Sequence, residues 1–577
     1  MKSLWITWLA CLGIVLWTCL PILETPQLEP DDYRYLHHLQ QLEQDFSGNL
    51  LEAGTVENRW DDFWWWDAQE KVRFFRPTVV LSYAIDSWIW GDQDIAYGLC
   101  LGNLLIHLGC VLLVALLLHL WLGPGPPAFL ASALFAALWA HGEVIWYVAG
   151  RTDSLAALGF LAAFALHVLG QDRPSLRWLA LPFFVFSFLT KELTIALPIL
   201  LVLHDWFVSR RYRDLGALFR GEAPLMAAYV VCALGVFVLK EVALGETGSA
   251  LIYPYFVSPS HPEFVGHLWN QLQSYSGNLF LTEVTAPFAT SEQIAQRHSG
   301  LGVACLIGFL VACVTFLRRD PRLPFFLLFA FLTWLPTSFV YLSERYLYLP
   351  SVPLVALIGL LVARPSRVEV QRVLQFLLLG YVALQAAALR EKNRLLSQVP
   401  RDPAVMHEQL SALPGTIPKG ARIFIINLPG DWLGAQFAQD QLRVQLGDPT
   451  LSVRVLTIMP GHQEMGRAMG YGMRVRSLDR HTIRVEGGLF ENVRHPVMLR
   501  SRIPFAWRSF ATGSAYKMPF VDVAIREGSP EAANIIDFTF AEPHDTCYFL
   551  LWHADPDPKL PPYERRKRGS VEHIRPL

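Results

Sequence analysis

The sequence predicts a polytopic α-helical membrane protein of about eleven transmembrane helices, followed by a C-terminal soluble α/β domain. Three observations predict it. The 577 residues are 53% hydrophobic and only 17% charged. Up to about residue 390 the apolar residues gather in runs of roughly 17–25, the length a helix needs to cross a bilayer. Beyond about residue 400 short alternating runs replace them, as in a water-soluble domain. Arginines also alternate from side to side through most of the loops that carry charge, in line with the positive-inside rule.

The expected spans are 4–23, 97–121, 127–149, 153–170, 177–190, 192–208, 223–243, 300–317, 323–341, 346–363 and 373–390. The first begins like a secretory signal, with Lys2 ahead of an apolar run. It is too long for one and lacks a small-x-small cleavage site, so it reads as a retained helix. The segment 77–90 is apolar but short and carries Asp86. It reads as a helix in the membrane interface.

With the N-terminus inside, the inner loops carry Arg173 and Arg177; Arg210, Arg211, Arg213 and Arg220; Arg318, Arg319 and Arg322; and Arg364, Arg367 and Arg372. That orientation puts loops 24–76 and 244–299 and the whole tail on the outer face. Residues 1–395 then form the membrane domain and 396–577 an extracytoplasmic α/β domain.

The run NRWDDFWWWD at 58–67 reads as an interfacial anchor, with stacking on sugar rings as the alternative. The tail runs ARIFIINLP, SVRVLTIMP, TIRVEGGLF, NIIDFTF and CYFLLWH read as strands. Its His462, His495, His544 and His553 lack metal-ligand spacing, and no glycine-rich phosphate loop opens a helix there. The tail therefore reads as an acceptor-recognition or lid domain. Net charge is −2, and no basic motif with interleaved aromatics points to nucleic acid. Seven of the eight cysteines lie in apolar runs and Cys547 stands alone, so no disulfide framework follows.

Charged groups against a membrane are costly and mark function. Here they collect on the outer side. LEPDDYRY (28–35) supplies Asp31, Asp32 and Arg34 just after the first span, and Arg76 precedes the interfacial segment. His141 and Glu143 end the third span, with Arg151 and Asp153 beyond. Lys191 and Glu192 lie between the fifth and sixth spans, and Glu344, Arg345 and Tyr346 begin the tenth. Sugar transfer from a lipid-linked sugar phosphate would use such a set. A carboxylate accepts the proton of the attacking hydroxyl, and cations hold the phosphate.

Each of these groups also has a structural reading. Asp31 and Asp32 could cap a juxtamembrane helix, and Tyr33 and Tyr35 could anchor it. Lys191 and Glu192 could simply be paired, and Arg151 with Asp153 could brace the third span against the fourth. Asn103 and His107 read as interhelical hydrogen-bonding groups.

RPTVVLSYAID (76–86), NLLIH (103–107), HGEVIWYVAGRTD (141–153), TKELTIALP (190–198) and ERYLYLPSVPL (344–354) resemble, in order, the membrane part of the transmembrane O-mannosyltransferases that modify cadherins and of their bacterial relatives. The H-x-E and G-R-x-D of that family match His141, Glu143, Gly150, Arg151 and Asp153. PDDYRY is similar to the P-D-E-x-R-Y of lipid A aminoarabinose transferases. Both families belong to the GT-C glycosyltransferases, and the resemblance spans roughly residues 1–390.

The resemblance implies Asp31 as general base and Arg34 on the donor phosphate. The charges gathered on the outer face add Asp32 and Glu143 as further catalytic candidates, Arg76, Lys191 and Arg345 for the donor phosphate (Arg34 and Arg345 first), and His141, Asp153, Glu192, Glu344 and Tyr346 for substrate binding. It implies a polyprenyl-phosphate-linked sugar donor, an acceptor protein or glycan, an inverting displacement and a bacterial inner membrane with a periplasmic tail. No cofactor is expected. The outer acids leave room for a divalent metal, but arginines on the phosphate remove the need for one. Two departures stand out: Leu138–Trp139 replaces the family's H-P pair, and the tail lacks the tetratricopeptide repeats of the cadherin-directed enzymes. The rival expectation is a transporter or flippase of lipid-linked sugars, which would favour broken helices in two repeated halves.

Overall fold

A computed structural model of the chain describes residues 2–59, 63–65, 71–92, 94–245, 259–260, 262, 264–281, 291–340, 342–398, 402–411, 417–428, 432–457, 474–491, 508–530, 532–553 and 570–574. Helix α1 (Lys2–Glu24) leads into the amphipathic α2 (Pro30–Asp45) and the short α3 (Leu50–Ala53). A hairpin of β1 (Thr55–Arg59) and β2 (Lys71–Phe75) follows. The helices α4 (Pro77–Trp90), α5 (Ile95–Leu122), α6 (Pro126–Ala137), α7 (Gly142–Trp146), α8 (Arg151–Leu169), α9 (Pro174–Thr190) and α10 (Leu197–Phe207) come next. They are succeeded by α11 (Leu215–Leu244), α12 (Phe264–Phe280), α13 (Ser291–Leu317), α14 (Arg322–Trp334), α15 (Ser351–Ala363) and α16 (Val368–Gln398).

The chain is thus a polytopic helical membrane protein, and helix is present within each of the eleven expected spans. Among the described residues seven helices are long and apolar enough to cross a bilayer, or eight if α6 is joined to the segment Trp139–Trp146 across their 44° bend. The count differs from eleven because several expected spans are not continuous α-helix. The helices α8, α10, α14 and α15 are each extended by a 3₁₀ segment: Val148–Gly150, Glu192–Ala196, Leu335–Phe339 and Glu344–Leu347. Irregular backbone at membrane depth survives where protein covers it or a cavity needs it, and two of these turns carry Glu192, Glu344, Arg345 and Tyr346 of the expected site.

At the other end of the bundle the arginine-bearing turns converge. Arg322 Nη1 donates to the carbonyl of Trp121 at 2.6 Å. Arg177 pairs with Asp205 at 3.0 Å and with Glu222.

Helix α4 is fastened by an ion pair. Asp86 Oδ2 lies 2.6 Å from Arg151 Nη1, and Arg151 also donates to Asn103 Oδ1 at 2.8 Å and to the Leu99 carbonyl at 2.7 Å. The expected Arg151–Asp153 brace does not form, because residues two apart on a helix point to different sides. Asp153 turns instead toward Lys191. Gly102 makes the arrangement fit: a Cβ there would lie 2.5 Å from Asp86 Oδ2. Asn103 reaches the carbonyls of Val144, Tyr147 and Val148, and His107 Nδ1 lies 2.7 Å from the Tyr348 hydroxyl. Both make the interhelical bonds expected of them.

In the tail, α17 (Asp402–Ser411) precedes β3 (Arg422–Ile426), α18 (Trp432–Gln445) and β4 (Ser452–Val455), a parallel βαβ unit. The strands β10 (Tyr548–His553) and β11 (Ser570–Ile574) complete a sheet of order β11-β10-β3-β4. A second, antiparallel sheet runs β5 (Arg474–Ser477), β6 (Thr482–Glu491), β9 (Ala532–Phe540), β8 (Val521–Gly528), β7 (Ala515–Lys517). Strand β8 buries Val521, Val523 and Ile525 and exposes Asp522 and Arg526, the alternation of a sheet with one wet face. The two sheets share one core, in which Phe424, Phe540 and Phe549 pack together.

That core also takes in Phe63, Trp64 and Trp65 from the loop after α3. Trp64 and Trp65 are each 1% exposed. Trp64 Nε1 donates to the Leu456 carbonyl at 2.7 Å, and Arg508 N–H donates to the Trp65 carbonyl at 3.1 Å. These two are therefore not interfacial anchors. An indole can be fully buried once its N–H finds an acceptor, and the chain just past β4 provides one. The flanking Trp60 and Trp66 lie outside the described residues.

Trp64→Ala should destabilise the tail by about 3–5 kcal/mol. In limited proteolysis of the full-length protein, the tail strands should become sensitive while the membrane helices stay intact.

Candidate active site

The first turn of α2 presents the two adjacent carboxylates of the PDDYRY motif in opposite ways. Asp32 is 0% exposed. Its Oδ2 accepts from the Glu29 N–H at 2.8 Å and its Oδ1 from the Tyr83 hydroxyl at 2.9 Å, so it fastens the helix start to α4. Burial pushes its carboxyl up to about 8, against the lowering effect of those two bonds. Fully covered, it has no face left for an acceptor, and the capping role falls to it. Asp31 is half-buried, and its Oδ2 accepts from the Tyr147 hydroxyl. Among the described residues Asp31 has no ion pair.

Beyond the Tyr147 ring the other charges are tightly coupled. Arg345 lies with its guanidinium carbon 5.3 Å from that ring's centre. Its Nε is 3.4 Å from Asp153 Oδ2, while Lys191 Nζ is 2.5 Å from Asp153 Oδ1. Asp153 therefore bridges an arginine and a lysine. Lys191 also sits 4.6 Å above the Tyr346 ring. Burial draws its ammonium down to about 8, opposed by Asp153 and reinforced by the positive charges of Arg345 and Arg76. Arg76 stacks 4.4 Å over Phe74, with Tyr35, Glu192 and Asp153 nearby. Glu192 takes Lys240 of α11 as its partner. A cleft with roughly 310 Å³ of empty space, partly open to solvent, is lined by Asp153, Lys191, Thr194, Thr337, Arg345 and Tyr346 among others.

Asp31, Arg76, Asp153, Lys191, Glu192, Arg345 and Tyr346 thus gather in one region, through Tyr147 and through Asp153. Four other expected residues take different positions. Glu143 accepts from Ser343 Oγ on both oxygens (2.7 and 2.8 Å), from the Arg345 N–H (3.1 Å) and from Arg345 Nη1 (3.3 Å). Its lone pairs hold the turn that carries Arg345. Glu344 is buried and pairs with Lys392 at 2.5 Å.

His141 is 0% exposed, with Nε2 3.0 Å from Ser351 Oγ and its ring packed on Phe135 and Tyr348. It is a core histidine and does not reach the cleft. Arg34 faces the tail, its guanidinium 4.2 Å over the Phe437 ring and its Nε 3.6 Å from Asp440.

The sequence reading passed over Tyr147, Tyr83, Lys240 and Lys392. A signal for Tyr147 was present: it stands four residues after Glu143 and four before Arg151, inside the quoted motif.

Among the described residues His167, Asp205 and Glu222 have ligating atoms within 4.8 Å of one another. They lie at the arginine end of the bundle, and Arg177 Nη2 contacts all three side chains. The cation of that cluster is the arginine.

The chain matches no protein-family model and no curated protein. Solved structures similar to this one include two of one protein. ArnT from Cupriavidus metallidurans in the apo state is 15% identical with a TM-score of 0.44, over 78% of this chain and 85% of that one. ArnT from the same organism bound to undecaprenyl phosphate is 13% identical with a TM-score of 0.43, over 92% of this chain and 98% of that one.

Asp153→Asn should strip Lys191 and Arg345 of their shared carboxylate and lower stability by about 3–5 kcal/mol. Glu192→Gln, at a side chain 47% exposed, should cost much less. Thermal unfolding of the purified full-length variants separates the two.

Proposed function

We propose that this protein is an inverting glycosyltransferase of GT-C type, moving a sugar from a polyprenyl-phosphate donor to a hydroxyl of a protein or glycan at the outer face of a bacterial inner membrane. The observation that carries the reading is the contrast between Asp31 and its neighbours. Asp153, Glu143, Glu192 and Glu344 are each paired with a cation. Asp31 accepts from the Tyr147 hydroxyl, has no cation partner among the described residues, and is partly open.

The acceptor oxygen attacks the anomeric carbon as the bond from that carbon to the phosphate oxygen breaks. The electron pair leaves with the polyprenyl phosphate, and the acceptor proton passes to Asp31. One displacement with one base and no glycosyl-enzyme inverts the anomeric centre. The phosphate is already a good leaving group and needs cations more than an acid. Arg345, Lys191 and Arg76 supply them, with Arg345 offering a forked donor set. Asp153 holds Lys191 and Arg345 on opposite oxygens, so the two cations keep their positions before a donor arrives. The tyrosine rings of Tyr147 and Tyr346 flank the same cations.

Asp31→Asn should lower transfer from radiolabelled polyprenyl-phosphate sugars about 10²–10⁴-fold in membranes containing equal amounts of protein. Unchanged turnover would remove Asp31 from the reaction. Movement of the labelled lipid across the bilayer without transfer to any acceptor would favour the transporter instead.

A second expectation concerns pH. Lys191 binds phosphate in its protonated form, so affinity for undecaprenyl phosphate should fall as pH rises through about 8. Lys191→Arg should abolish that fall, as read by ligand titration between pH 7 and 9.

A further inference from the structure

Helix α2 is gripped from two sides. Its first turn is held by the membrane helices through Asp32–Tyr83 and Asp31–Tyr147. Its next turns are held by α18 of the tail. Arg34 lies over Phe437 and beside Asp440, and Arg443 Nη1 donates to His37 Nε2 at 2.9 Å. Gln445 Nε2 donates to the Tyr33 hydroxyl at 3.3 Å. Arg34 and His37 are 6% and 4% exposed, so the contact is a sealed one. Because Arg443 donates to it, His37 is an acceptor there and uncharged. Burial and the neighbouring Arg443 draw its imidazole down to about 4, in keeping with that state.

Arg34 stands three residues from Asp31, about 4.5 Å along one rigid helix. A shift at Arg34 therefore moves Asp31 by a similar amount.

We propose that the α18–α2 contact sets the position of Asp31, with Arg34 and Asp440 as positioning residues, so that the tail is part of the reacting geometry. Here Arg34 acts through the helix and not on the donor phosphate. The proposal rests on the reading of Asp31 as the base, but the contact itself can be tested without it.

The test compares full-length wild type, Asp440→Arg, and the double variant Arg34→Asp/Asp440→Arg, all in lipid nanodiscs. Hydrogen exchange is followed in residues 30–37 and in the tail strand Val521–Gly528. Asp440→Arg should speed exchange in 30–37 and leave the tail strand protected, and the charge swap should restore protection. Transfer is followed with undecaprenyl-phosphate-linked mannose as the probe. Asp440→Arg should lower kcat by about 10–100-fold at an unchanged KM for the probe, with recovery in the swap.

Unchanged exchange in 30–37 would overturn the proposal. So would loss of protection in α2 and the tail strand together without recovery in the swap, which would mean that the tail had merely unfolded. A fall in kcat equal in the single and double variants would also overturn it. If the wild type transfers nothing from the probe, the functional reading fails on that donor, and the exchange results alone decide the contact.

Discussion

Charge at the edge of a bilayer must be balanced by charge, and the helical half of this protein is organised by that demand. Asp153 is the pivot. It stands at the start of α8, faces Lys191 from the turn after α9, and faces Arg345 from the turn before α15. Three segments distant in sequence meet because each would be costly to bury alone. Glu143 then fixes the Arg345 turn, Lys240 answers Glu192, and Lys392 answers Glu344. The cleft is what remains between these pairs.

The same end of the bundle gives up regular α-helix. Five 3₁₀ segments lie there among the described residues, and those at Glu192–Ala196, Leu335–Phe339 and Glu344–Leu347 bring Thr194, Thr337, Arg345 and Tyr346 to the cleft wall. A continuous α-helix would bury its own polar groups and leave no cleft. The opposite end, with the Arg177 cluster, follows another logic: a buried arginine satisfies two carboxylates and ties together α8, α9, α10 and α11.

Much of this was legible in the sequence. Apolar length marked the helices of the eleven expected spans but not α2, α12, α17 or α18, and each of the five tail runs ARIFIINLP, SVRVLTIMP, TIRVEGGLF, NIIDFTF and CYFLLWH contains a strand. The charged motifs pointed to one end because their spacing from the apolar runs is a one-dimensional fact. Direction was harder to read. Asp31 and Asp32 are neighbours in sequence yet face opposite fates, since only one meets Tyr83. Arg34 carries the same motif signature whether it faces a phosphate or Phe437. His141 and Glu143 differ in what packs against them, and no spacing encodes that. A tryptophan run has the same composition at a lipid surface as in a protein core, so Trp64 and Trp65 were misplaced by a rule that is usually sound.

Those tryptophans have a consequence for how the molecule is made. Trp64 reaches its acceptor at Leu456, 392 residues later in the chain. At ordinary synthesis rates the indole waits roughly 20–80 s for its partner strand to emerge. The tail cannot close its core until the first loop and the segment after the last membrane helix stand on the same side of the bilayer. An error in threading any helix between them would leave Trp64 and the tail apart, each with an apolar face in water. Completion of the tail is therefore a proofreading step for the topology of the whole chain.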